Sequence, residues 1–261
     1  MELKKSDQSA LVDCLLDMGQ LLLKCGAEIS RVEDTLSRMA GAYGCLRADV
    51  FVITSIISLS MEFPDTGTLT ETRRIRTGDQ TDFSALEQLN HISRSCCRSP
   101  MPVAELRRSL LAVSAREKPL WSTLLGSVLS AGSFAVFFGG SWQDGLAAAV
   151  FAVGICLMQC GLSRTDVAPT GANLLLSLVT GLAVGLICPA LPALHADKIL
   201  IGDIMLMIPG LAMINAIRNI LGGNTISGLI RLTESLIWAA ALAGGFMLAA
   251  MILEQIQGVA V

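Results

Sequence analysis

Histidine is nearly missing from this chain: only His91 and His195 occur in 261 residues. A structural metal needs clustered nitrogen and sulfur ligands, so metal binding is not expected, and no cofactor is implied. The eight cysteines do not compensate. They contain no CxxC, Cys96 and Cys97 are adjacent, and Cys156, Cys160 and Cys188 lie in apolar stretches. The N-terminus, Met1-Glu-Leu-Lys-Lys, leads into a polar helix rather than a secretory signal, so reduced cytosolic thiols are the natural expectation. Charge is scarce too, at 16%, with a net value of -3. With no basic, aromatic-rich motif either, a nucleic-acid partner is not expected.

What the chain has in quantity is apolar residues: 52% of the total, with a mean hydropathy of +0.62. That is too apolar for an ordinary soluble protein. The charge is also unevenly placed, since 15 of 19 Lys and Arg and 16 of 22 acids precede residue 119. The expectation is a charged α+β domain over residues 1–117 and a membrane domain over 118–261.

In the first part, Ala10, Leu11, Cys14, Leu15, Met18, Leu22 and Cys25 recur at helical spacing and stop at Gly26. Ser30 and Glu33 have the spacing of a capping box before a second stripe of Ile29, Val32, Leu36, Met39 and Tyr43, which Gly44 ends. The period then changes to two. Strands are expected at 49–54, 56–63 and 68–75, with Pro64-Asp65-Thr66-Gly67 as a turn, and helices at 82–98 and 103–116. Glu28, Glu33 and Asp34 flank a helix N-terminus, where acids favour the macrodipole, so they do not suggest an active site. Arg73, Arg74 and Arg76 suit either a solvated strand end or anionic headgroups.

Five spans are expected in the second part, at about 120–139, 143–163, 171–191, 198–220 and 228–253, each of roughly 20 residues and enough for a ~30 Å core. Arg116 and Lys118 precede the first, Arg164 lies in the second connection, and Arg218 and Arg231 flank the fourth. Of the 19 cationic residues only Lys198 falls on the other side. The positive-inside rule then places the N-terminus in the cytoplasm and the C-terminus outside. Trp121 and Trp142 stand at span ends, as interfacial aromatics do. Five is odd, and no internal duplication occurs, so a partner or a homo-oligomer is expected to complete a pathway. Gly181 and Gly185 form a close-packing pair, with packing inside the chain as the default use.

The fourth span reads KILIGDIMLMIPGLAMINAIRN and is interrupted at Pro209-Gly210, with Asp203 on one side and Asn215 and Arg218 on the other. Pro209 lacks an N–H and crowds the carbonyl of Met205. Hydrocarbon cannot satisfy a freed backbone group, so such a break belongs against protein or a wet cavity, as in transporters. A kinked packing helix is the plainer alternative. Ser227, Arg231, Glu234 and Trp238 share one face of span five, and Asn215, Arg218 and Asn219 share one of span four. The loop Gly222-Gly223-Asn224-Thr225 is short enough to let the two meet. Glu234 would lie about 9 Å inside the boundary. A charge at that depth costs on the order of 2–3 kcal/mol, so it needs Arg231 or Arg218 as a partner. Two arginines against one acid suit a solute bearing a carboxylate. They suit equally well a topological anchor with an internal ion pair. Asp203 lies towards the outside, either to carry a proton or cation or as a water-exposed interface residue.

The chain resembles the threonine/serine exporter family over essentially its whole length. The resemblance is carried by Gly26-Ala-Glu-Ile-Ser-Arg-Val-Glu33 and above all by Ile208-Pro-Gly-Leu-Ala-Met-Ile-Asn-Ala-Ile-Arg-Asn219, followed by Gly223, Ser227-Gly228 and Arg231. Asn219 stands where the family favours an acid, which removes one candidate for proton coupling. The resemblance implies export of small carboxylate-bearing metabolites across a bacterial cytoplasmic membrane, driven by the proton gradient. Candidate solutes are threonine, serine and dicarboxylates such as succinate. It implies a stand-alone N-terminal half, ending at Val261, that works with a separate small membrane protein. An enzyme is not expected, because the sequence offers no Ser/His pair, metal cluster or two close intramembrane aspartates. The alternative is a membrane-anchored regulatory or scaffold protein whose soluble domain binds a partner.

Overall fold

Helix α1 (Lys5–Lys24) buries Leu11, Leu15, Met18 and Leu22 along one stripe and is the spine of the N-terminal core. The computed structural model to which it belongs describes residues 5–75, 81–116, 119–165 and 167–257, so Arg76 and Lys118 lie outside the described residues. Two compact units form: Met1–Glu117 with Leu211–Leu232, and Lys118–Gly210 with Thr233–Val261.

In the first unit, α2 (Ile29–Ala42) packs Ile29, Val32, Leu36 and Met39 into the α1 core. It ends at Gly44, whose φ of 85° suits only a residue without Cβ. The expected capping box is not formed. Glu28 occupies the N-cap position, so Ser30 is already helical and cannot cap. Glu33 instead accepts from Val52 N–H at 3.1 Å, satisfying a donor on an open sheet edge.

The strands β1 (Arg47–Ile53), β2 (Ile56–Phe63) and β3 (Gly67–Arg74) form an antiparallel sheet in chain order. Alternation decides which face is buried: Ile57, Leu59, Met61 and Phe63 point to the core. On the other face Ser58 pairs with Thr72 at 3.1 Å and Ser60 with Thr70 at 2.7 Å. Arg73 is not left to headgroups; it bonds Asp13 at 2.7 Å and also Asp17, both on α1. Helix α3 (Phe83–Arg98) is capped by Asp82, which accepts from Ala85 N–H at 3.0 Å. Helix α4 (Val103–Ser114) adds Leu106 and Leu110 to the core, and Tyr43 OH closes the α3–α4 turn by donating to Met101 O at 2.9 Å.

The second unit contains α5 (Leu120–Phe137), α6 (Trp142–Leu162), α7 (Pro169–Ile187, then a 3-10 turn at Cys188–Ala190), α8 (Ala196–Met207) and most of α10 (Thr225–Gln257). Small residues make its seams, as expected where lipid gives no hydrophobic drive between helices. A Cβ on Gly132 of α5 would lie 2.9 Å from Gly145 O of α6, and one on Gly202 of α8 would lie 2.6 Å from Ala131 O. Gly181 meets Ala249 and Phe246 of α10, and Gly185 meets Leu253, so the glycine pair is used inside the chain. Leu125, Leu129, Phe137, Trp121 and Trp142 are exposed, as lipid-facing and interfacial side chains are.

Among the described residues four helices are long and apolar enough to cross a membrane, or five if α8 and α9 (Gly210–Leu221) are one broken span. At about 18 Å each, neither α8 nor α9 could cross a ~30 Å core alone. The chain is a polytopic helical membrane protein with a small N-terminal sheet.

Candidate functional site

Helix α9 ends in a glycine turn that reverses the chain. Gly223 takes φ 89° and donates to Ile220 O at 3.1 Å, and Asn224 N–H donates to Asn219 O at 2.8 Å. Helix α10 starts at once, and Gly228 lets it touch α9. A Cβ at that position would lie 2.8 Å from both Ala216 O and Ile220 N. The two expected polar faces therefore come together at the head of the hairpin. Asn219, Ser227 and Arg231 are buried there, and Asn215 and Asn224 are half-buried.

Two parts of the expected arrangement differ. Glu234 is exposed, and the buried stripe of α10 runs Ser227, Arg231, Ser235. A serine hydroxyl can bond to its own helix backbone, which a carboxylate cannot do, so serine fits the tight seam. Arg218 is exposed and bonds Glu28 Oε1 at the start of α2, 190 residues away. The acid at the helix N-terminus therefore serves an ion pair as well as the macrodipole.

In the second unit, Ile208 N–H still donates to Ile204 O at 3.0 Å, whereas Gly210 N–H turns back to Ile208 O at 2.8 Å. The ladder opens at Pro209, which is buried, and the α8–α9 pair bends by 49°. Asp203 is fully buried on α8, with no hydrogen-bond partner for either carboxylate oxygen among the described residues. That removes the reading of Asp203 as a water-exposed interface residue.

Asp144 is the opposite case, and the sequence reading did not single it out. It too is fully buried. Its oxygens accept from Ser141 N–H at 2.7 Å, Ser141 Oγ at 2.8 Å and His195 N–H at 2.7 Å, and face His195 Nδ1 at 3.1 Å. It thereby ties the α5–α6 turn to the start of α8. The Ser141-x-x-Asp144 spacing at the head of an apolar run was the available signal.

Two buried thiols of the N-terminal domain are unreactive. Burial pushes Cys14 up to about 11 and Cys96 upward as well, so both stay protonated at neutral pH. All eight cysteines are free.

The profile of a family described as "Putative threonine/serine exporter" matches residues 13–253. A curated protein of Mycobacterium tuberculosis named "Probable threonine/serine exporter" is 22% identical over 245 residues, covering 91% of this chain and 45% of that protein. The chain thus spans about half the length of that relative. A curated protein of Klebsiella aerogenes named "Probable succinate transporter subunit YjjP" is 22% identical over 234 residues, 88% of this chain and 89% of that protein. No solved structure matches. A match over nearly the whole length, on a chain with these membrane helices, has one consequence: it belongs to the threonine/serine exporter family.

Proposed function

We propose that the chain is one subunit of a secondary exporter for small carboxylate-bearing metabolites, either threonine/serine-type amino acids or dicarboxylates such as succinate, with the proton gradient as its energy source. The observation that carries this reading is the burial of Arg231 with Asn219 and Ser227 on the α9–α10 hairpin, directly after the Pro209-Gly210 break. A guanidinium in a low-dielectric seam attracts an anion strongly, and its planar fork matches a carboxylate with two parallel hydrogen bonds. Asn219 and Ser227 offer an amide and a hydroxyl beside it. Arg218 stands at the exposed end of α9 as a first contact, shared with Glu28.

The charge pattern supports a cytoplasmic N-terminal domain, and hence five crossings with the α8–α9 pair counted as one. The small membrane protein expected as a partner, or a second copy of this chain, would complete the path; the relative named as a transporter subunit favours the former. The bacterial cytoplasmic membrane is the location that fits. Counterflow in native-host membrane vesicles, with labelled threonine, serine and succinate and their amide analogues, tests the reading. Saturable exchange of a carboxylate but not its amide is expected. Absence of saturable exchange for every carboxylate would overturn it.

A further inference from the structure

The two buried carboxylates of the second unit differ in one respect that packing alone does not explain. Asp144 accepts from three donors and faces His195 Nδ1, but Asp203 has no hydrogen-bond partner among the described residues. We infer that Asp203 is a proton-binding site, whose neutral form is required by the arrangement seen here and whose ionised form requires another. The inference rests on the transporter reading for its use, but not for the chemistry of the site.

The surroundings decide the ligand. Helix α8 packs against α5, α6 and α7. Helix α5 carries no ionisable residue, and α6 and α7 carry no Lys or Arg. The titratable groups on these elements are Asp144, already engaged, the thiols Cys156 and Cys160 of α6, and Cys188 in the turn after α7. On α8 itself Lys198 pairs with Asp197 at 3.2 Å, and His195 before it faces Asp144. On α10, whose Leu242 packs with Met207 of α8, the acids Glu234 and Glu254 are exposed. The one cation of α10, Arg231, lies about three turns before Leu242 and belongs to the other compact unit. Among the described residues α5, α6 and α7 supply no Lys or Arg to balance a charge on Asp203. A bound metal ion would need several more oxygens, and no metal-holding group of His, Cys, Asp and Glu exists among the described residues. One proton is enough: the carboxylate and H+ give a neutral acid, and the reverse step releases the same proton.

The position of Asp203 gives that step a consequence. The residue lies on the helix that ends at Met207, just before the bend at Pro209. An ionised carboxylate without donors is strongly unfavourable in a dry seam, so loss of the proton favours any rearrangement that brings water or a donor to it. The break provides the joint at which α8 can move without disrupting a continuous ladder. Protonation of Asp203 is thereby linked to the conformation of the interrupted span.

Infrared spectra of the full-length protein in lipid, recorded across the physiological pH range, test this inference. The wild type is expected to show the carbonyl stretch of a buried protonated acid at neutral pH, shifted in Asp203→Glu and lost in Asp203→Asn. In vesicles with an imposed pH gradient, Asp203→Asn should reduce solute accumulation to the level without a gradient, and Asp203→Glu should retain part of it. A spectrum without that acid band, or wild-type accumulation by Asp203→Asn, would overturn the inference. If the band behaves as expected but the wild type moves no carboxylate, the proton site stands and the exporter reading falls.

Discussion

At the scale of single residues, two carboxylates of equal burial have opposite surroundings, and each makes its own prediction. Asp144 holds a turn together, so Asp144→Ala should lower stability by about 1–3 kcal/mol, because the Ser141 and His195 donors lose their acceptor. Asp144→Asn should cost less, since an amide oxygen still accepts. Thermal unfolding in detergent measures both, and equal midpoints for all three proteins would contradict the role. The pair between Arg218 and Glu28 was not legible from the sequence. Nothing local marks Glu28 as a partner across 190 residues, and as an acid before a helix it already had a sufficient explanation. If Arg218 receives the solute carboxylate, Glu28→Gln should remove a competitor and lower the solute KM, as initial-rate measurements on vesicles would read. An unchanged or raised KM would leave the pair a structural tie.

At the scale of elements, most of the N-terminal domain could be read from periodicity. The stripes ending at Gly26 and Gly44, the alternation of β2 and the turn after Phe63 all form as spacing demands. The sequence failed where tertiary contacts outweighed local signals. Ser30 and Glu33 look like a capping box, but the helix begins at Ile29 and the β1 edge claims the Glu33 carboxylate. Likewise Glu234 fits an ideal helical face with Arg231, but the seam selects the smaller Ser235. The interruption at Pro209 was legible because proline acts on its own backbone, whatever surrounds it. Pro209→Ala restores an N–H for the Met205 carbonyl, and it should straighten the 49° bend and slow transport. Spin-label distances between α8 and α9 together with flux measure this. A straightened helix with unchanged flux would reduce the break to a packing feature.

At the scale of the whole molecule, a charged N-terminal part and an apolar helical part belong to one exporter-family chain. Its orientation is open to a simple test, because Cys97 is exposed and free whereas Cys14 and Cys96 are buried thiols. A membrane-impermeant maleimide should label Cys97 in inverted vesicles and not in intact cells. The reverse pattern would place the N-terminal domain outside and remove the charge argument for the proposed direction. The hairpin of α9 and α10 remains the centre of the account, and its burial of an arginine is the feature that a passive membrane anchor does not need. Carboxylate counterflow by wild type, Arg231→Lys and Arg231→Ala, in native-host vesicles with insertion verified, tests it most directly. Wild type should show saturable exchange, Arg231→Lys weakened exchange with a raised KM, and Arg231→Ala none; wild-type exchange by Arg231→Ala would mean that the buried arginine does not receive the solute.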